Sequence, residues 1–259
     1  MVDRIKTGIE GLDKALNGGI PKNNITLISG GAGTGKSTIC LQYLVNGAKM
    51  FGEKGLYIST EQNKNDLYKT GASFGWNLEE LERQGKIKVV YFDVVETDGF
   101  LEKMYEAYTS FMPKRVVIDS LTTLTDSLLV AGIGEKQAFS LVQIAESVSP
   151  IPRTERIVSK NLLYHLMKKL RLFDSTVLLT SELLEGQEGL SADQISEFIC
   201  DGVLILHNLG VGSAEFRSMQ VKKMRYTSHE KDFIMYEIEG SGVTIKKEEI
   251  FKYGDKNNV

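Results

Sequence analysis

A chain of 259 residues with 42% apolar and 25% charged residues has a globular composition, which excludes disorder along its whole length. Its 31 Lys and Arg against 34 Asp and Glu give a formal charge of −3, which argues against a protein that coats nucleic acid or anionic membrane. Two cysteines, Cys40 and Cys200, sit in apolar contexts without CxxC spacing, so neither a disulfide framework nor a structural zinc site is expected.

In chain order, residues 1–16 (MVDRIKTGIEGLDKAL) read as amphipathic and lack the apolar core of a signal peptide. No uncharged apolar stretch approaches the roughly 18 residues a membrane span needs, and a cytoplasmic location is expected. Short β-branched runs at residues 25–29, 56–60, 87–92, 116–119, 177–180 and 203–207 predict strands. Their nearly continuous apolar character suggests cover on both faces, as in a parallel sheet. Helical patterns at residues 36–51, 63–74, 99–111 and 158–173 alternate with these strands, the signature of a doubly wound α/β core.

Beyond residue 202 the rhythm changes to consecutive strands, including residues 216–224, 233–238 and 242–245, expected to extend one sheet edge in antiparallel fashion. One segment fits the alternation poorly. Residues 135–148 are helical in pattern, with Ala138, Leu141, Val142, Ala145 and Val148 on one stripe, before a Ser149-Pro150-Ile151-Pro152 breaker. This segment reads either as a helix packed on the core or as a lid or subunit contact. Residues 1–245 are therefore read as a single domain with a helical insert at 132–158, and 246–259 as a charged tail.

The strongest chemical signal is Gly30-Gly31-Ala32-Gly33-Thr34-Gly35-Lys36-Ser37, a full match to GxxxxGK[ST] between a predicted strand and a predicted helix. Glycines let the backbone wrap around phosphate with N–H groups pointing inward, and the helix N-terminus adds its positive end. Gly31, Ala32, Gly33, Thr34, Gly35, Lys36, Ser37 and Thr38 are thus expected to bind a nucleotide. Lys36 would reach its β- and γ-phosphates, and Ser37 would join a Mg²⁺ shell. Asp119 ends a buried strand (RVVID) and is the expected second metal partner, acting through water. Hydrolysis also needs a group that orients or deprotonates water, and Glu61, just past the strand LYIST, is the candidate. Thr180, Ser181 and Glu182 end another strand, and the carboxyl ends of parallel strands converge on one rim.

These motifs follow one another as in KaiC-like ATPases. TGIEGLDKALNGGIPKNNITLISGGAGTGKST, the strand ending in STE, then SFGW, VVIDSLT, LLTSE and KKMRYTSH keep that order over about residues 5 to 245. The chain resembles a stand-alone, single-domain, archaeal-type member of this RecA-like group. The resemblance implies a RecA-like P-loop NTPase core, a mainly parallel twisted sheet flanked by helices with antiparallel C-terminal strands. It also implies Mg²⁺-dependent ATP hydrolysis with Glu61 as catalytic carboxylate, in a hexameric ring with ATP between subunits. Lys223, Arg225, His229 and Lys231 match the K-x-R-x-x-x-H-x-K pattern that reaches a neighbour's phosphates, with Lys36 and Arg225 supporting catalysis. Lys223, Arg225 and His229 are expected to alternate along one strand and share a face.

Three departures stand out. Gln62 replaces the second acid usual after Glu61, which points to slow turnover. Tyr226 stands where the family generally has glycine, and the 132–158 segment is longer than usual. Glu197 and Phe198 stand where the KaiC autokinase has its phosphoacceptors, so autokinase activity is not expected. An ATP-dependent binding switch toward an unidentified protein partner is the alternative. A recombinase-like, single-strand-binding ATPase is disfavoured by charge. The loop at 182–197 carries Glu182, Glu185, Glu188, Asp193 and Glu197 without a single Lys or Arg.

Overall fold

A computed structural model describes residues 2–93, 99–130, 152–183, 189–211 and 214–246. A short antiparallel pair, β1 (Arg4–Ile5) and β2 (Ile20–Pro21), brackets α1 (Leu12–Ala15). The central sheet begins with β3 (Ile25–Gly30), which leads into α2 (Lys36–Met50). It continues through β4 (Gly55–Ser59), α3 (Lys64–Ser73), α4 (Leu78–Arg83), β5 (Ile87–Tyr91), α5 (Phe100–Phe111) and β6 (Arg115–Asp119). Then follow α6 (Leu121–Val130), α7 (Pro152–Leu170), β7 (Thr176–Glu182) and α8 (Ser196–Ile199). Finally β8 (Gly202–Val211), β9 (Ala214–Met224), β10 (Ile234–Glu239) and β11 (Gly242–Ile245) close the element order.

Among the described residues the sheet runs β11-β10-β9-β8-β3-β7-β6-β4-β5. Strands β8, β3, β7, β6, β4 and β5 are mutually parallel, and β9, β10 and β11 add antiparallel ladders beyond β8. The expected mainly parallel sheet with antiparallel C-terminal strands is the observed one.

Strand alternation sorts the core into two layers. On one face Tyr57, Val117, Leu178 and Leu204 pack with Ile39, Tyr43 and Leu44 of α2. On the other, Leu56, Ile58, Val116, Ile118 and Leu179 pack with Met104, Leu163 and Leu166 of α5 and α7. Asn63 and Asn77 cap α3 and α4 by accepting from Asp66 N at 3.1 Å and Glu80 N at 3.0 Å. At the lower end of β6 the fully buried Arg115 pairs with Glu53 at 2.5 Å and lies over the Tyr43 ring.

Several boundaries differ from the sequence expectation. Helix α7 begins at Pro152 rather than near residue 158, because the first helical turn needs no N–H from proline. His207 does not end its strand. Pairing of β8 with β9 carries the ladder on to Val211, opposite Ala214. Helices α4, α6 and α8 had no clear sequence signal. The pattern at residues 135–148, the rest of 132–151 and the tail beyond 246 lie outside the described residues.

Candidate active site

The phosphate loop leaves the middle of the sheet. β3 is hydrogen-bonded on both sides, to β7 and β8, and ends at Gly30. Gly35 takes φ 89°, ψ 23° as the N-cap of α2 without a side-chain cap, so the first-turn N–H groups face the loop interior unblocked. A Cβ on Gly35 would also lie 2.6 Å from Ile238 Cδ1, whereas one on Gly33 would meet nothing within 4 Å. The open side of the loop is thus at Gly33.

Lys36 folds back so that Nζ donates to the carbonyls of Gly30 at 2.8 Å and Gly31 at 2.9 Å. Thr34 Oγ1 donates to Gly31 O at 2.8 Å, and Tyr236 of β10 donates its hydroxyl to Thr34 O at 2.5 Å. Arg217 of β9 reaches Gly33 O at 3.3 Å. Tyr236 and Arg217 carry no motif, and only the strand pairing brings them to the loop.

Asp119 ends β6 opposite Ser59 and is buried. Its two oxygens accept from different hydroxyls: Oδ2 from Tyr57 at 2.5 Å and Oδ1 from Thr180 of β7. Burial, followed by the Asp119 charge, pushes the Tyr57 phenol well above its ordinary pKa, so it stays a donor. Ser37, at the start of α2, bears on the same phenol in the opposite sense, its hydroxyl lowering that pKa. A serine hydroxyl beside a buried carboxylate is a hard-oxygen donor set that suits Mg²⁺ shared with phosphate. Among the described residues no group of three or more His, Cys, Asp or Glu gathers, so a cation here would complete its shell with water and phosphate oxygens.

Glu61 is exposed just past β4, and its Oε1 accepts from the hydroxyls of Ser120 and Thr123, the latter at 2.8 Å. The ends of β4 and β6 are stitched beyond the ladder. Thr60 N–H donates to Asp119 O at 2.8 Å, and Thr60 Oγ1 exchanges two 3.0 Å bonds with Ser120. Glu61, Asp119 and the phosphate loop therefore share one rim. Gln62 N–H donates to Ser59 Oγ at 3.0 Å, while its side-chain Oε1 is buried without a partner among the described residues. Glu182 N–H donates to Thr122 Oγ1 at 3.0 Å, holding the end of β7 on the same rim.

The basic quartet lies elsewhere, and the single-strand expectation for it is corrected. β9 stops at Met224, so Lys223 alone of the four is in a strand. Arg225 and Tyr226 form a turn with Tyr226 at φ 62°, a left-handed conformation that breaks the ladder. Arg4 holds this turn open by donating to Tyr226 O at 3.1 Å and Thr227 Oγ1 at 2.9 Å, and Glu230 N–H donates to Ala15 O at 3.0 Å.

Lys223 Nζ caps the end of α8 through the carbonyls of Glu197, Phe198 and Cys200 at 3.1, 3.1 and 2.6 Å. Partial burial, then the Arg225 charge, lowers its pKa. Arg225 pairs with the buried Asp201 at 2.9 Å, a carboxylate that also accepts from Arg171 and from Ile25 N–H at 3.1 Å. His229 Nδ1 contacts Glu230 O at 2.8 Å, and Lys231 is exposed. Asp201 adjoins Ile25, at the start of β3, whereas the phosphate loop follows its end at Gly30. Five residue steps along a strand separate these points by about 17 Å. Arg225 thus sits at the opposite end of the sheet from its own phosphate loop.

The family described as "ATPase: KaiC" matches residues 5–144 and 142–250. The circadian clock oscillator protein KaiC of a Nostoc species is 29% identical over 254 residues, a match that covers 94% of this chain and 44% of that protein. The chain thus spans less than half the length of the KaiC proteins it matches. A UPF0273 protein of Thermotoga maritima is 32% identical over 247 residues, covering 95% of this chain and 96% of the relative. Among solved structures, a KaiC-like protein from the hyperthermophilic archaeon Pyrococcus horikoshii superposes with a TM-score of 0.78 at 32% identity. That superposition covers 95% of this chain and all of the other.

Proposed function

The chain belongs to the KaiC family of ATPases, and from this premise we propose that it binds ATP with Mg²⁺ and hydrolyses it slowly at the interfaces of a ring of identical subunits. The observation that carries the reading is the convergence of the phosphate loop, Asp119 and Glu61 on one rim while Arg225 lies at the far end of the sheet. One subunit then offers a phosphate cradle without Arg225, and Arg225 without a cradle. A head-to-tail ring brings the two together.

On binding, Lys36 exchanges the Gly30 and Gly31 carbonyls for phosphate oxygens, a move that replaces two neutral acceptors by charged ones. Ser37 and Asp119 are the residues that would hold Mg²⁺, whose charge would neutralise and orient the phosphates. Glu61 has one oxygen engaged by Ser120 and Thr123, which leaves the other to orient the attacking water. Arg225, His229, Lys223 and Lys231 act from the neighbour, with Arg225 neutralising charge on the transferring phosphoryl group. Gln62 supplies no second carboxylate, in keeping with low turnover. The same observation favours a second reading, in which nucleotide state sets the surface shown to a protein partner and turnover is incidental.

Residues 1–245 form the ATPase domain in this reading, with 132–158 as an insert and a cytoplasmic setting. Among the described residues no helix is long and apolar enough to cross a membrane. Autophosphorylation near Glu197 is not expected, because Ser191 and Ser196 are buried and their hydroxyls bind Glu197 and Asp193. Nucleic acid is not a partner in this reading, because the 182–197 loop is wholly acidic in charge. The test is native mass with and without Mg·ATP beside steady-state phosphate release. A ring of about six subunits that releases phosphate is the expected result. A monomer that neither assembles nor releases phosphate would refute the proposal.

A further inference from the structure

The two residues expected to meet the cation come from different parts of the fold. Asp119 ends β6, whereas Ser37 opens α2, and no backbone ladder joins them. The Tyr57 phenol holds the Asp119 end of this pair. Tyr57 lies two residues before Ser59, the residue that pairs with Asp119, and its ring is wholly buried among the residues of α2.

A phenylalanine would fill this core position equally well. Burying a hydroxyl is unfavourable unless its hydrogen-bonding capacity is used. At Tyr57 it is used toward the cation site: the proton goes to Asp119 Oδ2 at 2.5 Å. Tyr43, a fully buried tyrosine of α2 itself, makes a weaker contact, with its hydroxyl 3.5 Å from Thr176 O at the start of β7. With Thr180 holding the second oxygen of Asp119, rotation of the carboxylate is blocked from both sides.

We propose that Tyr57 is a positioning residue for the divalent cation, its hydroxyl fixing the Asp119 carboxylate in the orientation that a metal shell shared with Ser37 requires. This rests on the reading of the rim as an Mg·ATP site. Hydrogen-bond partners of metal-binding groups commonly change metal affinity by about 10–100-fold when removed. Because the hydroxyl's hydrogen bond among the described residues goes to Asp119 and not to the phosphate loop, its loss should leave metal-free nucleotide binding intact.

The experiment compares wild type, Tyr57→Phe and Tyr43→Phe as full-length chains with a non-hydrolysable ATP analogue. Nucleotide affinity is measured in EDTA, then Mn²⁺ affinity of the nucleotide complex by electron paramagnetic resonance. The melting temperature of each nucleotide-free protein monitors the fold. For Tyr57→Phe, Mn²⁺ affinity should fall by about tenfold or more while metal-free nucleotide affinity stays within about twofold. Tyr43→Phe should bind both as wild type does. Unchanged Mn²⁺ affinity in Tyr57→Phe would overturn the proposal and leave the phenol a packing group. An equal loss of metal-free nucleotide binding would overturn it too, by pointing to a distorted loop. If wild type itself binds no nucleotide, the Mg·ATP reading fails and this proposal falls with it, an outcome distinct from the first two.

Discussion

Substituting Asp201 should separate charge from hydrogen bonding at the basic end of the sheet. Its carboxylate is buried and accepts from Ile25 N–H at 3.1 Å, from Arg171 at 3.2 Å and from Arg225 at 2.9 Å. In Asp201→Ala the buried N–H is orphaned, a loss of about 1–3 kcal/mol. The arginine side chains are 45% and 46% exposed, so water screens these pairs and each contributes less than about 1 kcal/mol. Together the Ala variant should lose about 3 kcal/mol, which for a domain of this size lowers the melting temperature by about 6–12 °C. Asp201→Asn keeps an acceptor for Ile25 N–H and loses only the charge, so about 1 kcal/mol and about 2–4 °C are expected. Thermal and urea unfolding of the nucleotide-free protein measure both. Equal losses in the two variants, or a change below about 1 °C in Asp201→Ala, would refute the view that this carboxylate ties β8 to β3 chiefly through the Ile25 N–H.

Other consequences can be checked with the same unfolding assays. Mg·ATP at about 100 times its Kd should stabilise wild type by about 2.7 kcal/mol, and Lys36→Ala should abolish most of that shift. Tyr226→Gly should raise the stability of the free subunit by up to about 1 kcal/mol. The tyrosine holds φ 62° and is 70% exposed, and glycine reaches that conformation without the steric cost. Burial and then the Lys222 charge lower the His207 pKa below its ordinary 6.5, so the native state binds this proton less readily than the unfolded chain does. Stability from this source is therefore present above about pH 6.5 and lost as pH falls toward the depressed value. The denaturation midpoint of His207→Gln should vary less than that of wild type between about pH 5 and pH 7.

The parallel core was legible because buried strands such as RVVID and helices such as KSTICLQYLVNGAKM carry their own hydrophobic pattern and need no distant partner to be recognised. The phosphate loop was legible for a related reason: its glycines, Lys36 and Ser37 are contiguous in the chain. What escaped depends on tertiary pairing. Tyr57 reads as one more aromatic in an apolar strand, and only the register of β4 against β6 sets its hydroxyl on Asp119. Arg217 and Tyr236 reach the loop through the β8–β9–β10 ladder, with no local signal. The basic quartet was placed on a strand because its spacing alternates, but the left-handed Tyr226 and its clamp by Arg4, more than two hundred residues away, end the ladder at Met224.

The central claim, an active site divided between subunits, is tested most directly by mixing two inactive variants. Glu61→Gln keeps Arg225 and loses the carboxylate that orients water, and Arg225→Ala has the reverse defect. Arginines of this kind contribute about 10³–10⁵ in rate, so each variant alone should be nearly inactive. In an equal mixture with subunit exchange verified by native mass, about a quarter of head-to-tail interfaces pair an intact Glu61 with an intact Arg225. Phosphate release should then recover toward that fraction of the wild-type rate. Full exchange with no recovery, or full activity and assembly in Arg225→Ala alone, would contradict the account.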